Sequence, residues 1–333
     1  MEDRDYIMKI SLDIMGGDNA PEAFIEAIKL AAEDYKQHEF LAVGLPEALT
    51  LLPERDNIKK IACGSVMAMD EDVKNLLNKK DSSIWMATQL VKNNEADAII
   101  SAGSTGAQMA AATLLLSRVK GISRPAIGTV LPTLKGESLL LDVGANADCT
   151  PELLLQFALM GDIYARQLLE IENPRIALLS NGTEEHKGNK LTQAAYALIK
   201  DSGLNFIGNL EGRDLLEGGY DVIVTDGMGG NIAIKSLEGA FTVLMTLLRQ
   251  KLTQTPSRKL GALLIKSGLK EIKQTLDYQE QGGAPLLGVN GVSIVCHGSL
   301  KARGVYQAIL MACRCVESGF VEKLGDAVAN DAE

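Results

Sequence analysis

Short apolar runs of strand length alternate with longer stretches of helical periodicity along almost the whole chain. The clearest runs lie at 7–14, 98–101, 139–143, 175–179, 221–225 and 292–296, and the clearest helical stretches at 21–35, 151–169 and 300–316. Thr150-Pro151-Glu152 marks a helix start, with a capping hydroxyl, a proline at the first helical position and an acid in the first turn. Strands alternating with helices predict βα units and a largely parallel sheet.

Each of the six runs is followed at once by a small or polar turn. These turns contain Gly16-Gly17-Asp18-Asn19, Gly103-Ser104-Thr105-Gly106, Gly144-Ala145-Asn146, Asn181-Gly182-Thr183, Asp226-Gly227-Met228-Gly229-Gly230-Asn231 and His297-Gly298-Ser299. In a parallel sheet such junctions gather at the carboxyl edge, where open α/β sheets bind their ligands. Glycines let backbone amides approach closely, and the helix start that follows favours an anion. One such turn is ordinary turn chemistry. Six together predict a phosphate- or carboxylate-binding cleft at one sheet edge.

The pattern changes at 231–276. Phe241, Leu244, Met245, Leu248 and Leu252 fall on one helical face, Pro256 breaks the pattern, and a second helix sets Ile265, Leu269, Ile272 and Leu276 apart from Lys266, Lys270 and Lys273. This reads as a helical hairpin with one apolar stripe and one basic stripe. It serves as a dimer contact whose lysines keep it soluble, as a docking surface for an acidic protein or an anionic membrane, or as both.

Composition narrows the choice of chemistry. The chain has 333 residues and a net charge of −10, which argues against general nucleic-acid binding. Seven basic residues and one acid between Arg249 and Lys273 form a basic island in an otherwise acidic chain. The five cysteines are scattered and odd in number, as expected of reduced thiols in the cytoplasm. No apolar run approaches the ~20 residues of a membrane span, and the charged start lacks a secretory pattern. The length suits one α/β domain over 8–320, or two coupled lobes, with 1–7 and 321–333 as terminal extensions.

The sequence has no phosphate loop of the G-x-x-x-x-G-K-[ST] type, no G-x-G-x-x-G fingerprint, no H-E-x-x-H and no G-x-S-x-G elbow. Gly, Asn, Thr, Ser and Lys residues at the sheet edge are left, joined by His186 and His297. That inventory suits a reaction whose nucleophile arrives already charged, such as inorganic phosphate attacking a thioester. The site then has to hold the anion and stabilise the oxyanion and the departing thiolate. Lys187 precedes Gly188 and Asn189 in a glycine-flanked turn, and reads as a phosphate ligand or a solvated surface lysine. Asn231 and Lys235, four apart, share a face of a helix expected to start near Asn231. Lys235 is a site residue or the ion-pair partner of Glu238; Asn231 is a ligand or a helix cap. His297 is a phosphate ligand, a proton donor or a core histidine. Asp18 and Asp226 shape turns or hold lysines rather than act as bases.

Met15-Gly16-Gly17-Asp18-Asn19-Ala20-Pro21 resembles the opening signature of the bacterial phosphate acyltransferases of phospholipid synthesis, the acyl-carrier-protein:phosphate transacylases. Ser101 to Ala107, Leu141 to Asn146, Asn181 to Asn189, Asp226 to Lys235 and Cys296 to Ser299 follow in that family's order. The resemblance implies a Rossmann-like three-layer α/β/α fold related to phosphate acetyltransferases and isocitrate-type dehydrogenases. It further implies a homodimer at the cytoplasmic face of the membrane that hands acyl phosphate to a membrane-bound glycerol-3-phosphate acyltransferase, with no metal or organic cofactor. Lys187, Asn231, Lys235 and His297 match motif positions and are carried over as catalytic candidates. The basic hairpin favours acyl carrier protein as donor. A coenzyme A-dependent transferase, an NAD- and metal-dependent dehydrogenase of related fold, and a carrier-protein-binding protein without turnover are the rivals.

Overall fold

Strongly apolar segments become central strands here because helices cover both sides of them. The computed structural model describes residues 7–276 and 282–330. In chain order its strands are β1 (Lys9–Asp13), β2 (Glu39–Gly44), β3 (Ile58–Ala62), β4 (Ala98–Ser101), β5 (Ala126–Thr133), β6 (Gly136–Leu141), β7 (Ile176–Ser180), β8 (Phe206–Glu211), β9 (Val222–Val224), β10 (Gly283–Leu287) and β11 (Val292–Cys296). The helices are α1 (Glu22–Asp34), α2 (Pro46–Leu49), α3 (Ser83–Lys92), α4 (Thr105–Leu115), α5 (Pro151–Leu168), α6 (Lys190–Asp201), α7 (Gly227–Leu252), α8 (Pro256–Leu264), α9 (Lys266–Leu276), α10 (Ala302–Glu317) and α11 (Phe320–Asn330).

The strands form one sheet in the order β3-β2-β1-β4-β11-β10-β5-β6-β9-β7-β8. β1, β2, β3, β4 and β11 are mutually parallel, and so are β6, β9, β7 and β8. Between the two groups, β11–β10, β10–β5 and β5–β6 are all antiparallel. Three reversals in succession leave the two halves pointing in opposite directions. This corrects the expectation that six strand ends share one carboxyl edge: they fall into two clusters, one per half.

One face of the sheet is covered by α1 and α10 over the first half and by α5, α6 and α11 over the second. Side chains of α3 and α4, and Ile234 of α7, cover the other face. The sheet with a helical layer on either side is the three-layer α/β arrangement expected. The stretch from 321 onward, expected as an extension, belongs largely to α11. Phe320 and Leu324 on that helix are buried in the same cluster as Tyr164 and Phe157, because its apolar stripe packs on α5. Residues 1–6 and 331–333 of the expected extensions lie outside the described residues.

Two local expectations are revised at α7. The helix begins at Gly227, a turn before Asn231, because the Asp226 carboxylate caps it by accepting from the Gly229 amide. Asn231 therefore sits inside the helix and is not its cap. The second arm of the hairpin is two short helices, α8 and α9, jointed at Ile265. Gly261 and Gly268 flank the joint, where helix propensity is weakest.

Candidate active site

The turns after β1, β4 and β11 pack on one another. The Asp18 amide donates to the Gly298 carbonyl at 2.7 Å, and Asn19 Nδ2 donates to the carbonyls of Ser299 and Leu300. A side chain at Gly16 would overlap the Gly103 amide nitrogen, so these two turns touch only because position 16 has none. Beneath them the buried Asp13 carboxylate accepts from Ser101 Oγ at 2.7 Å, and Ser101 Oγ accepts from the Gly103 amide. Burial pushes the Asp13 carboxyl above its ordinary range, against hydrogen bonds that draw it down.

The turns after β6 and β9 make the second cluster, organised by Asp142. Its carboxylate accepts from the amides of Ile127, Gly144, Ala145 and Asn146 and from Asn146 Nδ2. Burial again raises this carboxyl, with the same hydrogen bonds opposing. The Gly227 amide donates to the Asn146 carbonyl, and a side chain at Gly230 would overlap the Asp142 carbonyl. The first turn of α7 is thereby pressed against the end of β6.

The two clusters face each other across a cavity of about 460 Å³. From the first come Asp18, Gly103, Thr105 and His297; from the second, Gly144 and Asn231; and α7 adds Lys235 and Glu238. Lys235 Nζ lies 3.1 Å from His297 Nε2 and 3.0 Å from Glu238 Oε2, so the ion pair with Glu238 is formed at the edge of the cavity. On the other side of the ring, His297 Nδ1 lies 2.7 Å from Ser299 Oγ and 3.2 Å from the Ser299 amide nitrogen. Glu238, Lys235, His297 and Ser299 thus form one hydrogen-bonded chain between the two halves of the sheet. At the start of α4, Ser104 Oγ accepts from the Ala107 amide, which leaves the Thr105 and Gly106 amides for an anion.

The structure places other candidates elsewhere. The Gly229 amide is spent on the Asp226 carboxylate and the Gly230 amide on the Asp226 carbonyl, so neither is aimed into the cavity. Gly17 packs against Ala102 and Gly298, and Asn146 is buried under its turn. Thr183, Lys187, Gly188 and Asn189 lie in the turn after β7 and are not among the cavity's lining residues. There the Gly188 amide donates to Asn181 Oδ1, Asn189 Oδ1 caps α6, and the Lys187 stem covers Gly182. Lys266 and Lys270 are exposed on α9, which also carries Lys273, whose side chain lies outside the described residues. Sequence reasoning missed Asp13, the place of Tyr164 and Met311 in the cavity lining, and the lining contributed by β5 and β10. Tyr164 sits on an apolar helical face and reads locally as core.

All five cysteines are free thiols. Cys296 lines the cavity, but burial pushes its thiol up to about 12, which keeps it protonated and a poor nucleophile at neutral pH.

A family model described as "Fatty acid synthesis protein" matches residues 8–323. A phosphate acyltransferase of Desulfitobacterium hafniense is 53% identical over 325 residues, covering 95% of this chain and 96% of that one. Another, of Heliobacterium modesticaldum, is 48% identical over 333 residues, covering 98% and 99%.

The chain belongs to the phosphate acyltransferase family.

Among solved structures, this phosphate acyltransferase resembles a phosphotransacetylase of Streptococcus pyogenes, with a TM-score of 0.60 and 19% identity over 93% of this chain and 94% of that one. A 4-hydroxythreonine-4-phosphate dehydrogenase of Klebsiella pneumoniae matches at a TM-score of 0.56 and 13% identity, covering 93% and 100%. At these identities the likeness concerns the fold. A phosphate acyltransferase is an enzyme of the transferase class. Asp18, Thr105, Asn231, Lys235, Glu238 and His297 line the cavity, and its other lining side chains are mostly apolar.

Proposed function

We propose that this enzyme transfers the acyl group of an acyl-[acyl carrier protein] to inorganic phosphate, releasing acyl phosphate and free carrier protein to feed glycerophospholipid synthesis. The observation that carries this reading is the Lys235–His297 pair at the exposed end of a cavity whose other walls are mostly apolar. Phosphate binds between the start of α4 and Lys235, and one of its oxygens attacks the thioester carbonyl. Asn231 and Lys235 stabilise the oxyanion. As the C–S bond breaks, the proton of the phosphate monoanion or dianion passes through the Lys235–His297 chain to the thiolate, so no outside acid is required. Cys296 is disfavoured as an acyl carrier by its raised pKa. Ser299 lies beside the imidazole but outside the cavity lining, which suits it to orienting the ring.

Carrier protein is favoured over coenzyme A as donor by the exposed lysines of α9, since carrier proteins are acidic. The same projecting helices, with Leu260, Leu263 and Leu264 exposed, suit a homodimer contact or a peripheral contact with the cytoplasmic membrane surface, where a membrane-bound glycerol-3-phosphate acyltransferase would take the product.

The test is incubation with palmitoyl-[acyl carrier protein], with and without phosphate, followed by hydroxylamine trapping of acyl phosphate. Phosphate-dependent hydroxamate is expected, falling about a hundredfold or more in Lys235→Ala. Product from palmitoyl-coenzyme A alone would transfer the reading to a coenzyme A donor. A trapped acyl-enzyme would replace direct attack by a two-step route. Loss in Lys187→Ala as deep as in Lys235→Ala would mean that the turn after β7 closes on the cavity during turnover.

A further inference from the structure

The cavity is lined from both faces of the sheet. Asn231, Ile234 and Lys235 belong to α7 on one face, whereas Tyr164 of α5 and Met311 of α10 belong to the layer on the other. A continuous sheet would keep these groups apart. The sheet is open at one place: β10 pairs with β11 over Gly283–Pro285, but with β5 only at Leu286↔Ile127 and Leu287↔Ala126. Beyond Ile127, β5 pairs with β6, so Gly128–Val130 and Gly283–Pro285 border a gap that no ladder hydrogen bonds close. Gly128, Gly283 and Ala284 flank the gap with little or no side chain.

The lining changes along this passage. Lys235 and His297, both exposed, stand at one end; Tyr164, buried to 1% exposure, stands at the other. Between them are Ile127, Thr129, Val130, Pro285 and Val295. At the inner end the Tyr164 hydroxyl has the Met311 sulfur as its partner at 3.8 Å, a weak acceptor, so that end offers a hydrocarbon terminus no strong polar competitor. Apolar walls with a few polar groups at the reacting end are what a fatty acyl thioester requires. The stripe at 241–252 contributes no lining residue, and Leu244 on it is exposed.

We propose that the gap between β5 and β10 is the acyl channel: the chain passes through the sheet from the Lys235–His297 end, and Tyr164 and Met311 set the longest chain accepted. This rests on the acyl-transfer reading above. Methionine's flexible thioether makes the inner end adjustable, so length preference is graded rather than abrupt.

Wild type, Met311→Trp and Met311→Ala are to be assayed for acyl phosphate with carrier-protein donors from octanoyl to stearoyl. Met311→Trp is expected to lower the ratio of stearoyl to octanoyl kcat/KM by about tenfold or more, and Met311→Ala to raise it. A ratio unchanged in both variants overturns the channel. If Met311→Trp does not fold, Ala284→Leu narrows the gap itself, and should depress long-chain donors more than butyryl; equal loss at every length in a protein of unchanged melting temperature overturns the channel. Wild type that makes no acyl phosphate from any of these donors defeats the acyl-transfer reading instead.

Discussion

Lys235 is held by two neighbours of different kinds, a carboxylate and an imidazole, and the order of its contacts decides what it can do. Glu238 holds the ammonium in place beside Nε2 of His297. Removing the charge of Glu238 while keeping its shape leaves Lys235 free to turn away. Glu238→Gln is expected to lower kcat/KM by about ten- to a hundredfold, the effect of losing one charged hydrogen bond, with Glu238→Asp recovering part of it in the same hydroxamate assay. Asp13 and Asp142 show a second use of acids at this scale. Each is a buried carboxylate at the end of a strand, gathering the donors of the turn that follows, and neither is among the residues lining the cavity. Sequence spacing alone showed that Lys235 and Asn231 share a helical face, and it named Glu238 as a partner. It could not show that His297, 62 residues further on, closes the chain of contacts, because that meeting is made by the whole sheet.

At the scale of elements, α7 joins two environments. Its first turns are locked against β6 by Gly230 and the buried Ile234, while Val243, Leu244 and Leu247 further along are exposed. One helix thus ties the cavity residues Asn231 and Lys235 to a projecting surface that carries Lys266 and Lys270 beyond its end. Reversing Lys266, Lys270 and Lys273 to Glu is expected to raise KM for the carrier-protein donor several-fold, more so at low salt, with little change in kcat. The salt dependence of steady-state kinetics checks it. Elements with continuous apolar runs, such as β1, β4 and β11, were legible in the sequence because strands buried on both faces need no alternation. β10 was not. Its Gly283-Ala284-Pro285 start is poor in strand formers, and its place is set by the neighbours it pairs with. The joint at Ile265 was missed for a related reason: one apolar stripe runs across both short helices.

The whole molecule departs from the local pattern most clearly in its direction. Each βα unit correctly predicted a glycine turn at a carboxyl end, yet which end faces which depends on β10 and β5, the two strands between the parallel halves. Without them the clusters around Asp13 and Asp142 have no fixed relation. A chain ending at Leu276 lacks β10, β11 and α10, leaving β4 and β5 without the neighbours that join them. It is expected to be aggregation-prone and to lack cooperative thermal unfolding, which calorimetry and light scattering would show.

The strands that join the halves, β10 and β11, are drawn from residues 283–296, whereas the strands they separate, β4 and β5, end at residues 101 and 133. During synthesis on the ribosome, therefore, the first partial sheet, complete with β4 at Ser101, and the second, complete with β9 at Val224, both wait for β10 and β11. The cavity has both of its walls only once β10 and β11 have joined the sheet, and a nascent chain released before them carries the glycine turns without it.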